Sequence, residues 1–228
     1  RQYKRSTLEK VKSELVRSYS ANGRYGATVE IEEINKPRNR IEIDIEVDEG
    51  KSAKIEKINI IGNEIFTTEE ILRGFELSEG SFFSFLSNDD QYSREKLKGD
   101  IETLESYYRD RGYLKFSIES SQISLSRDKR EIYITFNVNE GQKYTIKDVE
   151  VVGEIPFEEE IYINITDSLK EQTYSQATIT GIEEFFTNVL GNRGYAFAEV
   201  KGNPEVEDES NEVKSVSYTH LRAHETKR

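Results

Sequence analysis

Two stretches of the chain alternate apolar and polar residues without a break. Ile41, Ile43, Ile45 and Val47 are separated by Glu42, Asp44 and Glu46, and Ile132, Ile134, Phe136 and Val138 are spaced in the same way. A period of two marks a strand with one dry and one wet face. Lys54 to Ile61 runs into Gly62-Asn63, which reads as a strand and then a turn. Elsewhere the period changes. Leu97, Ile101, Leu104, Tyr107 and Tyr108 recur at helical spacing, Ser93 stands at an N-cap position, and Gly112 ends the run. Thr67 and Glu70 have the spacing of a capping box, which starts a shorter helix. Leu114, Phe116 and Ile118 alternate, followed by Ile123, Leu125 and a turn over 126–130. The predicted unit is β-α-α-β-β, an α+β fold with a three-stranded mixed sheet and two helices on one face. Ile118 and Ile123 differ in parity, so a β-bulge is expected within residues 119–122.

The unit repeats. DEGKSAKIEKINIIGN (48–63) matches NEGQKYTIKDVEVVGE (139–154), which pairs Gly50 with Gly141 and Gly62 with Gly153, 91 residues on. YSREKLKGDIETLESYYRDRGY (92–113) matches YSQATITGIEEFFTNVLGNRGY (174–195), where Tyr92, Ser93 and Gly112 stand 82 residues before Tyr174, Ser175 and Gly194. A third copy, TLEKVKSELVRSYSANGRY (7–25), carries Gly23 near its end. A fixed period means stacked modules. The expected modules are 1–53, without its opening strand, 54–143, complete, and 144–214, without its last strand. The chain ends SVSYTHLRAHETKR, which reads as translated adapter sequence, so 215–228 is set apart as a non-native tail. Only a few residues separate successive units, which favours a semi-rigid string.

Composition then narrows the chemistry. The 228 residues carry a net charge of -12, with a pI near 4.9. Nucleic-acid binding calls for a basic face, so no nucleic-acid partner is expected. Gly191-Asn192-Arg193-Gly194 has the spacing of a KH-domain loop, but it ends a helix and opens a strand in acidic surroundings, which makes it a helix stop. Cysteine is absent, which removes thiol catalysis and disulfides. The two histidines, His220 and His224, fall in the tail, so no metal, no cofactor and no catalytic residue is expected. No apolar run approaches the roughly 18 residues of a membrane helix.

The residues also carry a family resemblance. RNRIEIDIEVDEGKSAKIEKINIIGNEIFTTEEIL (38–72) resembles the junction of the second and third POTRA modules of the BamA family of outer-membrane assembly factors. LKGDIETLESYYRDRGYLKFSIESSQISL (97–125) is similar to the body of the third module, and GNRGYAFAEV (191–200) to the fourth. The resemblance implies tandem POTRA modules at the periplasmic face of the outer membrane. They would precede a β-barrel that alone enters the membrane. It also implies two kinds of partner: unfolded outer-membrane β-barrel proteins, and the lipoproteins of the assembly complex. The same fold serves two-partner secretion transporters and division proteins, which remain the alternatives.

Binding is expected along a sheet edge. The final strand of the unit should be central and parallel to the first, which leaves 114–125 at the rim, consistent with the family fold. The candidate residues there are Leu114, Lys115, Phe116, Ser117, Ile118, Glu119, Ser120, Ser121 and Gln122. Unpaired N–H and C=O groups on such a strand accept an extended chain of almost any sequence, which is the chemistry of β-augmentation. A second candidate is the loop SFFSFL (81–86). Its Phe82, Phe83, Phe85 and Leu86 either close the base of the core or form an exposed aromatic patch.

Overall fold

The computed structural model describes residues 4–38, 40–80, 90–152, 159–195 and 199–220. They form two compact units. One is Arg1–Leu104 with Ile118–Val138, the other Glu105–Ser117 with Asn139–Arg228.

The first unit opens with helix α1 (Arg5–Ala21) and an antiparallel hairpin of β1 (Thr28–Lys36) and β2 (Arg40–Asp48). Ile41, Ile43 and Ile45 alternate as expected of a strand, yet each stays about 40% exposed, because this sheet has only two strands. Next in the chain come β3 (Lys54–Ile61), the short α2 (Thr68–Leu72), α3 (Arg94–Arg109), whose residues from Glu105 on belong to the second unit, β4 (Ser117–Leu125) and β5 (Glu131–Asn139). The capping box is formed: Glu70 N–H donates to Thr67 Oγ1 at 3.2 Å, and Thr67 N–H donates to Glu70 Oε2 at 2.9 Å. The strand order is β3-β5-β4, with β5 central and parallel to β3. Its covered face is the alternating set Ile132, Ile134, Phe136 and Val138, all buried, and Phe75 meets Phe136 edge-on. Residues 81–89, and with them Phe82, Phe83, Phe85 and Leu86, lie outside the described residues.

The second unit holds β6 (Thr145–Val152), α4 (Glu159–Leu169), α5 (Gln176–Asn192), β7 (Glu199–Glu207) and β8 (Glu212–His220). Its strand order, β6-β8-β7, repeats that of the first sheet, with β6 parallel and β7 antiparallel to the central β8. This corrects the expectation that the last repeat lacks its closing strand. Residues 215–220, set apart as tail, supply most of β8. Strand addition runs on main-chain groups, which almost any sequence provides, and β8 is anchored by the fully buried Val213. The core around it gathers Tyr144, Ile146, Val149, Leu169, Tyr174 and Ile179.

The first strand of each three-stranded sheet carries a bulge. Register shifts occur between Ile55 and Lys57 in β3 and between Ile146 and Asp148 in β6, the same point of the repeat 91 residues apart. In β4, Ser126 N–H donates to Glu131 O at 2.9 Å, and Asn137 Nδ2 reaches Ser120 Oγ at 2.7 Å, so both contacts fit one antiparallel register over residues 120–126. Ser120 therefore shares a face with Asn137, opposite the buried face of β5. The partly buried positions of β4 are Ile118, Ser120 and Leu125, so burial changes parity along the strand.

Candidate polypeptide-binding edge

A turn precedes the edge strand. Leu114, Lys115 and Phe116 were expected within the strand, but Phe116 N–H donates to Tyr113 O at 3.0 Å, and β4 begins at Ser117. All three are engaged. Leu114 packs on the core around Tyr144, and Phe116 is buried in a parallel stack on Tyr108, with ring centroids 4.0 Å apart. Lys115 Nζ pairs with Asp208, which also accepts Tyr144 Oη–H at 2.8 Å. Asp208 holds the Lys115 ammonium above the usual lysine range, and Lys115 foremost, then Tyr144, holds the Asp208 carboxyl below its usual value. An ammonium committed in this way does not guard the β4 edge.

Ser117, Ile118, Glu119, Ser120, Ser121 and Gln122 do lie on β4, which is an edge of its sheet. The Ser126–Glu131 bond sets which way each residue points. From Ser120 to Ser126, the even-numbered residues turn their main chain to β5, and Ser121, Ile123 and Leu125 turn theirs outward. Among the described residues, no side chain or loop bonds these outward groups. Glu119 is the one charge on β4, so the usual protection of an edge by several charges is thin here.

The opposite edge of the same sheet is closed. Ile55 N–H donates to Asp90 O at 2.7 Å, and Ile55 O accepts Gly80 N–H at 2.9 Å. Ile58 N–H is taken by Glu79 Oε1 at 3.1 Å, and Glu79 also pairs with Lys57 Nζ at 3.0 Å. The bulge turns Ile55 outward to meet these loops, and Ile146 in β6 repeats the arrangement with Gln172 O and Glu171 N–H. The spacing of the apolar residues, Ile55 then Ile58 and Ile60, carried the signal of that bulge.

Comparison with known proteins gives the same architecture. The model of the POTRA family (surface antigen variable number repeat) matches residues 1–50, 53–141 and 144–219. The outer membrane protein assembly factor BamA of Neisseria meningitidis serogroup B is 27% identical over 203 residues, 89% of this chain and 26% of that protein. BamA of Buchnera aphidicola is 29% identical over 185 residues, 81% of this chain and 30% of its own length. The chain thus spans about a quarter to a third of these relatives. Among solved structures, Haemophilus influenzae BamA POTRA3-5 superposes with a TM-score of 0.64 at 21% identity, covering 75% of this chain and 67% of that one. BamA from Haemophilus ducreyi lacking POTRA domains 1-3 superposes at 0.56 and 13% identity, over 74% and 29%. These two likenesses speak for the fold. With three successive matches to one family model over nearly the whole length, and a strand order repeated in two sheets, the chain belongs to the POTRA family.

Proposed function

We propose that this chain is a non-catalytic polypeptide-binding scaffold, the second to fourth POTRA modules of a BamA-type outer-membrane assembly factor. In this reading the modules stand at the periplasmic face of the outer membrane. They receive unfolded β-barrel proteins and dock partner lipoproteins, in part by β-augmentation on β4. The observation that carries the reading is the row of outward main-chain groups at Ser121, Ile123 and Leu125 on an edge strand, which no side chain or loop bonds among the described residues. Barrel proteins on their way to the membrane present extended strands of many sequences. A receptor for them needs main-chain recognition with little side-chain selectivity. The assembly-factor relatives favour this over a two-partner secretion transporter or a division protein.

The test is proline on the edge. Ser121→Pro deletes an N–H that faces away from β5, and Ser117→Pro places proline at the first residue of the strand, so the internal ladder survives and the cost to folding is small. The double variant is expected to keep its circular dichroism and thermal midpoint within a few degrees, and to lose most of its affinity for an extended barrel-strand peptide. Unchanged affinity in the folded double variant would place binding elsewhere, with the loop 81–86 as the next candidate.

A further inference from the structure

Strand β7 is the counterpart of β4 in the other sheet. The registers Lys54↔Glu131 and Thr145↔Glu212 align the two central strands, and Glu131 and Glu212 face Ser126 and Glu207 across their hairpins. Counting back from there, Ser121, Ile123 and Leu125 correspond to Gly202, Pro204 and Val206, and Val200 continues the row on β7. These positions turn their main chain away from the sheet. Among the described residues no side chain or loop bonds the row on β4, but on β7 it is nearly filled. Thr187 Oγ1 accepts Val200 N–H at 3.3 Å, and Glu183 Oε1 accepts Gly202 N–H at 2.6 Å, both side chains coming from α5. Pro204 has no N–H to offer. A Cβ at position 202 would stand 2.3 Å from Glu183 Oε1, so glycine is what lets the carboxylate reach the main chain.

Helix α3 has no equivalent side chains to lend. In the helix repeat, 82 residues before Glu183 and Thr187 stand Ile101, which has no acceptor, and Glu105, whose carboxylate is paired with Arg109 at 3.2 Å. We propose that Glu183 and Thr187 are specificity-determining residues. They occupy the outward donors of β7 in place of a strand's carbonyls, and so direct an extended polypeptide to β4. This rests on the β4 reading above and adds the reason that one module, and not its neighbour, takes the strand. A backbone donor already bonded to a carboxylate gains little from a new carbonyl, so an incoming strand finds no driving force on β7.

The experiment uses the whole chain, isotopically labelled, and a peptide of alternating Thr and Val about ten residues long, one strand's length. Amide shifts report where it binds. In the parent chain, changes are expected along β4 and none at Val200 or Gly202. The triple variant Glu183→Ala, Thr187→Ala, Pro204→Val puts helix formers on α5 and a strand former on β7, so the fold is retained. It is expected to gain a second set of changes along β7. Glu183→Gln with Thr187 and Pro204 intact keeps its acceptor and is expected to behave as the parent. Peptide binding at β7 of the parent chain, or no binding at β7 of the folded triple variant, overturns the inference. Failure of the peptide at β4 alone would overturn the β4 reading, while the triple variant still decides whether β7 had been closed by α5.

Discussion

Helices α3 and α5 end in the same way. Past α3, Tyr113 N–H donates to Tyr108 O at 3.0 Å, and past α5, Tyr195 N–H donates to Leu190 O at 3.1 Å. In both, a glycine with φ near +97° supplies the left-handed residue of this Schellman-type stop, Gly112 at 99° and Gly194 at 96°. The surroundings differ completely. Gly112 O accepts Tyr144 N–H at 2.9 Å, and Asp110 Oδ1 accepts Ala177 N–H at 2.8 Å from the first turn of α5. A Cβ on Gly112 would stand 2.8 Å from Thr173 Cγ2 and 2.9 Å from Lys143 Cγ, whereas one on Gly194 meets nothing within 4 Å among the described residues. One local motif thus serves as a plain helix stop in one place and as a hook for the following repeat in the other. The turn comes from local sequence, and its load comes from what packs on it.

Alanine at the two glycines separates these contributions. Gly194→Ala carries only the left-handed penalty, ~1–2 kcal/mol. Gly112→Ala carries the same penalty plus displacement of Thr173 and Lys143, an overpacking cost of about 1–3 kcal/mol. Urea denaturation of the two variants should give the larger loss at Gly112. Equal losses would mean that the contacts around Gly112 yield freely and that the hook is weak.

A second difference lies one turn earlier. Tyr108 and Leu190 hold equivalent, fully buried positions, but only Tyr108 carries a hydroxyl, which donates to Glu140 Oε1 at 2.8 Å. Tyr19 and Glu49 repeat that pair at the front of the chain at 3.3 Å. Burial first, and then the bond to Glu140, pushes the Tyr108 phenol well above the ordinary tyrosine range. Tyr108→Phe is expected to cost ~1–2 kcal/mol at neutral pH. The folded state holds this proton more tightly than the unfolded chain. Its contribution is present below the unfolded value of about 10 and is lost as pH rises toward the higher folded one. The parent chain should therefore lose stability above that pH faster than Tyr108→Phe does, as thermal melts across the alkaline range would register. Parallel melting curves would mean that the phenol titrates as it does in the unfolded chain.

Much of this was legible in the chain, and the misses have physical causes. The glycine helix stops, the capping box and the order of the central sheet all follow from patterns in the chain, which the folded chain respects. Leu114 and Phe116 misled because a turn that packs apolar residues mimics strand alternation over three positions. The spacing of Ile55, Ile58 and Ile60, repeated at Ile146, Val149 and Val151, marked a bulge in the first strand of each three-stranded sheet that had not been expected there. The closure of β7 by Glu183 was not legible in advance. It joins a helix residue to a strand nitrogen 19 residues on, and its only sequence trace is a glycine and a proline two apart in a strand.

The smallest expected effect is electrostatic, at the turn beyond Gly112. The Lys115 and Asp208 side chains are 48% and 65% exposed, so water and salt screen their attraction. The direction is still definite. Asp208 has a lower pKa in the folded state than in the unfolded chain, so its contribution is fully present above the unfolded carboxylate value of about 4 and is lost as pH falls through the folded one. Lys115 is raised, so its contribution is present below the unfolded lysine value of about 10.4 and is lost as pH rises through the folded one. The pair therefore works across the whole neutral range. Asp208→Asn keeps an acceptor for Tyr144 and removes only the charge. Its thermal midpoint should lie slightly below that of the parent from about pH 5 to pH 10, converge with it as the pH drops toward 2, and converge also in high salt. A gap that persists at pH 2 would assign the loss to the Tyr144 hydrogen bond, and the turn beyond Gly112 would then owe nothing measurable to its ion pair.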